Sequence, residues 1–133
     1  MGYVAMLTAR GTFSRIPQDH DITNYEELTG YMAMLPNPFM WFEPVRVKVG
    51  KYRFIMAVDE EGLLKDDFEI NKGASKLYGG MFDVIAGDVL FFSDHSDPNM
   101  YALTDEECDV LERAVSSTYT TGHNENETVV VII

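Results

Sequence analysis

The sequence predicts an α+β fold, a mainly antiparallel sheet of four to six strands with two principal helices packed on one side. Three observations lead there. Val45, Val47 and Val49 alternate with Arg46 and Lys48, then pass through Gly50-Lys51 into a second apolar run, the pattern of a β-hairpin. Thr23 with Glu26 and Thr104 with Glu107 have capping-box spacing, and each opens a stretch of apolar residues at helical spacing. The resulting order, β-α-β-β-(turn-rich)-β-α-β, is that of an α+β chain.

Taken in order, Tyr3 to Ala9 (YVAMLTA) reads as a short buried strand and Gly11 to Asp21 as a polar connection. Tyr25, Leu28, Tyr31, Met32 and Leu35 then recur with helical period, so a helix is expected near residues 24–35. Pro36 and Pro38 end it, because proline lacks an amide donor and disfavours helical geometry in the residue before it. Pro44 to Gly50 and Tyr52 to Val58 form the hairpin, with Arg46, Lys48, Lys51 and Arg53 as its solvated basic strip. Asp59 to Gly62 is a turn. Leu63 to Ile70 is irregular or extended, and Ala74 to Tyr78 forms one helical turn punctuated by Gly73, Gly79 and Gly80.

Asp88 to Ser93 is a further strand and Ser93 to Asn99 a loop, by its Asp, Ser, Pro and Asn content. The last helix starts at Thr104, where Asp105 and Glu106 also favour the positive end of the helix dipole. Cys108, Leu111, Ala114 and Val115 make its buried stripe, and Asp105, Asp109 and Glu112 share the opposite face. Residues 119–127 read as a mobile linker. Beyond it Val129 to Ile133 is a β-branched end, either a strand of the sheet or an adhesive segment for homo-oligomerisation.

The length of 133 residues fits one domain spanning the whole chain, and 46% hydrophobic with 24% charged residues is ordinary globular composition. The net charge of −12 has more to say about partners. Binding to nucleic acid phosphates or anionic membranes requires clustered Lys and Arg, so both are disfavoured over most of the surface and a protein partner with a basic surface is favoured. The longest uncharged run, Leu28 to Phe42, is broken by Pro36 and Pro38, so no membrane span is expected. The start, MGYVAMLTARG, lacks the pattern of a secretory leader, and Met6 stands where myristoylation wants Ser or Thr. Cys108 is the only cysteine, which excludes an intramolecular disulfide; the expected location is the cytoplasm.

Few residues suggest chemistry. Asp94, His95 and Asp97 are the one compact set of metal-ligand types, but DHSD before Pro98 is also ordinary turn composition, so no metal and no cofactor is assigned. His20, between Asp19 and Asp21, and His123 read as solvent-exposed. Cys108 is expected in the core behind acidic residues, which raises a thiol pKa, the reverse of what a nucleophile needs. No nucleophile elbow, phosphate-binding loop, dinucleotide fingerprint or zinc pair occurs, and no catalytic residue is assigned. Phe39, Met40 and Trp41, just after the prolines, are the candidate exposed apolar contact patch.

Val58 to Phe92 carries an acidic Gly turn (Asp59-Glu60-Glu61-Gly62) with Leu63, then Asn71 spaced to Ala74, Leu77, Tyr78 and Gly79, then Ile85, Gly87-Asp88 and the strand Val89 to Phe92. With Leu103-Thr104-Asp105-Glu106 downstream, this pattern resembles a small domain-of-unknown-function family of phages, prophages and mobile elements of Gram-positive bacteria. The resemblance covers residues 24–116 and leaves the first strand and the tail outside it. It implies a mobile-element accessory protein and brings no catalytic residues with it.

Two readings stay open. In one, a non-enzymatic protein engages a basic partner, such as a host DNA-acting or defence protein, through the Trp41 patch or the carboxylates Asp105, Asp109 and Glu112. Those carboxylates, continued by Asp59 to Glu61, would mimic a row of phosphates. In the other, Arg46, Lys48, Lys51 or Arg53 captures a small anionic, nucleotide-like ligand.

Overall fold

A computed structural model of the protein describes residues 2–78 and 84–117. Along the chain run β1 (Gly2–Leu7), β2 (Phe13–Gln18), α1 (Tyr25–Ala33), β3 (Phe42–Val49) and β4 (Tyr52–Asp59). A 3-10 turn (Gly62–Leu64), α2 (Lys72–Tyr78), β5 (Val89–Ser93) and α3 (Asp105–Ser117) follow. The five strands form one antiparallel sheet in the order β2-β1-β5-β4-β3, so the α+β class and the strand number are as the sequence predicts. No helix among the described residues is long and apolar enough to cross a membrane.

The β3–β4 hairpin has the expected register. Val49 faces Tyr52 across a turn at Gly50, whose φ of 61° lies in the left-handed region that glycine enters without a Cβ penalty. The first hairpin is a correction. Gly11 to Asp21, expected as a polar connection, contains β2, paired along its whole length with β1 from Gly2↔Gln18 to Leu7↔Phe13. Its polarity hid it for a physical reason: β2 is an edge strand, half solvated, so it needs no clean apolar alternation and tolerates Pro17.

The helices are also distributed differently from the expectation of one covered side. Ala5, Leu7, Phe54, Met56, Val89 and Phe91 pack on one face with Leu77 of α2 and Cys108, Leu111, Ala114 and Val115 of α3. Val4, Ile55, Ala57, Leu90 and Phe92 point the other way and meet Leu28 and Met32 of α1 together with Leu35 and Phe39. The sheet is thus covered on both faces. The cause is in the central strands: Phe54 to Val58 and Val89 to Phe92 are unbroken apolar runs, and a strand apolar on both sides must be covered on both sides. Truncating fully buried Phe91 to alanine would cost roughly 3–5 kcal/mol.

Local polar contacts set the ends of the elements. Asn24, not Thr23, caps α1, its side chain accepting from the Glu27 amide at 2.9 Å. At α3 the capping box is as expected, with Glu107 N–H donating to Thr104 Oγ1 at 3.1 Å and Thr104 N–H donating to Glu107 Oε1 at 2.9 Å. Buried Asn71 caps α2 by accepting from the Ala74 amide at 3.0 Å, and its own amide donates to the carbonyls of Leu7 (3.1 Å) and Gly87 (2.9 Å). The expectations for Gly79 and Gly80, the linker at 119–127, His123 and the strand at 129–133 lie outside the described residues.

Candidate functional site

A broad concavity lies beside α1. Leu28 and Met32 are buried on the sheet, which turns Glu26, Thr29, Gly30 and Ala33 outward at i, i+3, i+4 and i+7. Once Pro36 and Pro38 have stopped the helix, the chain doubles back along it. Phe39 plugs the core at 7% exposure, so of the three residues expected in a contact patch it is the anchor and not the surface. Met40 and Trp41 follow at 72% and 58% exposure. The Tyr25 hydroxyl donates to the Met40 carbonyl at 2.9 Å and the Glu60 amide to the Trp41 carbonyl at 3.0 Å, which pins this segment opposite the helix.

Between the two walls runs an open groove of about 710 Å³, floored by Met32 and Phe39 and flanked by Gly30, Pro38 and Trp41. A Cβ placed on Gly30 would meet no atom within 4 Å. Among the described residues of the lining, Glu26 is the only charged one and none is Lys or Arg. The signal for this site in the sequence was Trp41 next to two prolines; the helix face that completes it carries too little apolar character to be noticed.

The acidic face of α3 has a different fate. Arg15 of β2 reaches Asp109 at 2.7 Å and Glu112 at 2.9 Å, with Asp105 at 3.8 Å. Three carboxylates converge on one guanidinium, whose proton they hold more firmly than usual, chiefly through the bonds to Asp109 and then Glu112. Asp59, imagined as their continuation, has a largely buried carboxylate 2.5 Å from Lys65 Nζ. Arg15 thus offsets one of the three α3 charges, and Lys65 offsets that of Asp59.

On the hairpin, Arg46 donates to Asp94 at 2.6 Å and lies 3.4 Å from the Asp97 carbonyl, so part of the basic strip is also neutralised. Lys51 sits 5.4 Å from the centre of the Tyr52 ring. Lys48 and Arg53 face each other directly across the two strands, and neither makes an ion pair with a described residue.

Asp94, His95 and Asp97 do not assemble into a metal site. Asp94 serves Arg46, Asp97 accepts from the Tyr101 hydroxyl at 2.6 Å, and the His95 ring stacks on Tyr101 with centroids 3.9 Å apart. That hydroxyl bond holds the Asp97 carboxyl below its ordinary pKa and raises that of Tyr101. Among the described residues no group of three or more His, Cys, Asp or Glu is placed to hold a metal ion.

Ser93, His95 and Glu107 are contiguous, but the Ser93 hydroxyl donates to Glu107 at 2.6 Å, lies 3.2 Å from His95 Nε2 and is almost wholly buried. A nucleophilic serine needs the opposite arrangement, its proton aimed at the imidazole and its oxygen open to substrate. Cys108 is buried, and burial pushes its thiol up to about 11.

His20 is more engaged than its expected exposed role. Its ring bridges Asp19 (2.6 Å) and Glu27 of α1; Glu27 also accepts from Gln18 at 3.2 Å, and Tyr31 donates to Gln18. No sequence spacing announces this cluster, because it joins the end of β2 to α1 across a loop.

Set against known proteins, the chain matches no family model, no curated protein and no solved structure.

Proposed function

We propose that the protein acts by protein–protein interaction, taking a basic segment of a partner into the groove beside α1, as an accessory protein of a phage or mobile element that restrains a host DNA-acting or defence protein. The observation that carries this reading is the pair Met40 and Trp41, both more than half exposed and held through their carbonyls in a groove with no cation among its described lining. An exposed tryptophan in the wall of a preformed apolar groove is the type of residue that dominates interface energetics, worth about 2 kcal/mol or more on truncation. The charge of −12 favours a basic partner and steers its approach. The α3 carboxylates are left out because Asp109 and Glu112 are already engaged by Arg15.

The test is a pull-down from host lysate with the wild-type chain and a Met40→Ala/Trp41→Ala variant whose circular dichroism is unchanged. A basic protein retained by the wild type, released by added salt and lost in the variant supports the reading. Equal retention by both refutes it.

A second reading is favoured by Lys48 opposite Arg53. Like charges directly paired across strands are destabilising, and this pair has no described counter-charge in a chain with 22 acidic and 10 basic residues. The two would receive a small anion of nucleotide type, with Arg46 and Lys51 nearby. Thermal shift with millimolar nucleotides tests it: no rise in the midpoint for the wild type, or an equal rise for Lys48→Ala/Arg53→Ala, removes it.

A further inference from the structure

We infer that the occupant of the groove is an amphipathic helix of the partner, bearing Lys or Arg on its flank, and not an extended strand or loop. This rests on the groove being the interaction site.

The geometry points to a helix in two ways. One wall of the groove is itself a helix face, Glu26, Thr29, Gly30 and Ala33, whose side chains are short after the first. Helices approach to about 8–10 Å between axes, with the distance set by the side chains at the contact, and Gly30 leaves open space where a side chain would stand off a neighbour. The opposite wall is the irregular 38–41 segment, not a strand edge. The carbonyls of Met40 and Trp41 are already taken by Tyr25 and Glu60. An extended peptide would gain its affinity from main-chain pairing with a free sheet edge, and this wall offers none at those two positions.

Charge selects the sign of the occupant. Glu26 lies in the wall as the only charged residue among the described lining, and the chain as a whole carries −12. A helix placing one large apolar side chain over Gly30 against Trp41, with a cation toward Glu26, fills the volume and matches the rim. An acidic amphipathic helix would match the volume and be repelled.

Trp41 is the only tryptophan in the chain, so its emission reports on the groove directly. The probes are three peptides of about 18 residues, five helical turns. The first is Leu/Lys with leucine at i, i+3, i+4 and i+7. The second has the same composition with two central prolines, which prevent the helix. The third is the Leu/Glu analogue.

The expected result is a blue shift of Trp41 with the helical basic peptide, affinity about tenfold or more weaker for the proline peptide, and no binding of the acidic one. Gly30→Leu should abolish the shift, and Ala33→Lys should weaken it through a mutation with no bearing on the floor. Equal binding of the two basic peptides, with both variants weakening it, overturns the helical occupant while leaving the groove reading intact; binding unaffected in both variants places the peptide outside the groove and overturns both. Binding of neither basic peptide overturns both.

Discussion

Arg15 of β2 and Asp109 of α3 lie 2.7 Å apart, joining residues 94 positions apart in the chain. With Glu112 and Asp105 at the same guanidinium, this contact fastens the edge strand to the helix that covers the sheet. It also decides how the molecule carries its charge there, since the three α3 carboxylates would repel one another without it.

Replacing Arg15 by methionine keeps most of the side-chain stem and removes the cation. We expect a loss of about 1 kcal/mol in urea unfolding at low ionic strength, because the partners are half exposed and surface pairs are worth little individually. The loss should shrink in 1 M salt, on the screening length of roughly 3 Å. An unchanged loss would mean that Arg15 acts by packing of its stem.

Asp88 makes a stronger claim on stability. It is fully buried immediately before β5 and accepts from the Ala9 amide at 2.8 Å and the Asn37 amide at 2.7 Å, tying the turn after β1 and the wall-forming loop to the central strand. Asp88→Ala leaves two donors unsatisfied and should cost about 2–4 kcal/mol. Since Asn37 directly precedes the Pro38 to Trp41 wall, Trp41 emission in the native variant should also shift, a readout that global destabilisation does not produce.

Two glycines should respond oppositely to alanine. Gly30 is inside α1 with open space around its Cβ position, so Gly30→Ala should stabilise by about 0.5–1 kcal/mol. At Gly62 the Cβ would fall 2.8 Å from the Ala86 carbonyl oxygen, a backbone atom that cannot step aside cheaply, and Gly62→Ala should destabilise. Thermal midpoints of the two variants check both signs at once.

His20 gives a pH dependence of defined direction. Its pKa is raised above the ordinary 6.5, first by the hydrogen bond to Asp19 and then by that to Glu27. Its stabilising contribution is therefore complete below pH 6.5 and is lost as pH rises through the folded pKa. Asp19, lowered from 3.8 mainly by the same bond, contributes above 3.8 and loses that contribution as pH falls through the lowered value. The midpoint difference between wild type and His20→Ala should thus be largest at about pH 5–6 and close at alkaline pH. A difference independent of pH from 5 to 9 would assign the effect to packing alone.

The residues themselves determined what depends on nearest neighbours in the chain. Alternating valines with Gly50 specified the β3–β4 hairpin, Thr104 with Glu107 specified the start of α3, and Pro36 and Pro38 specified where α1 must stop. Trp41 was legible as an exposed apolar residue for the same reason, a large side chain where no regular element can bury it.

Tertiary structure decided everything that needs two distant segments. Ser14, Arg15 and Pro17 became a strand because β1 offered an edge to pair with, and that pairing brought Arg15 under the α3 carboxylates. Asp94 was drawn to Arg46 and away from any ligand set with His95 and Asp97. Gly30 and Ala33 became the wall of a groove only when Phe39 found the core and carried Met40 and Trp41 to the far side. Local propensity is written in short spacings, whereas the partner of a charge or the filling of a volume is set by which surfaces the sheet brings together.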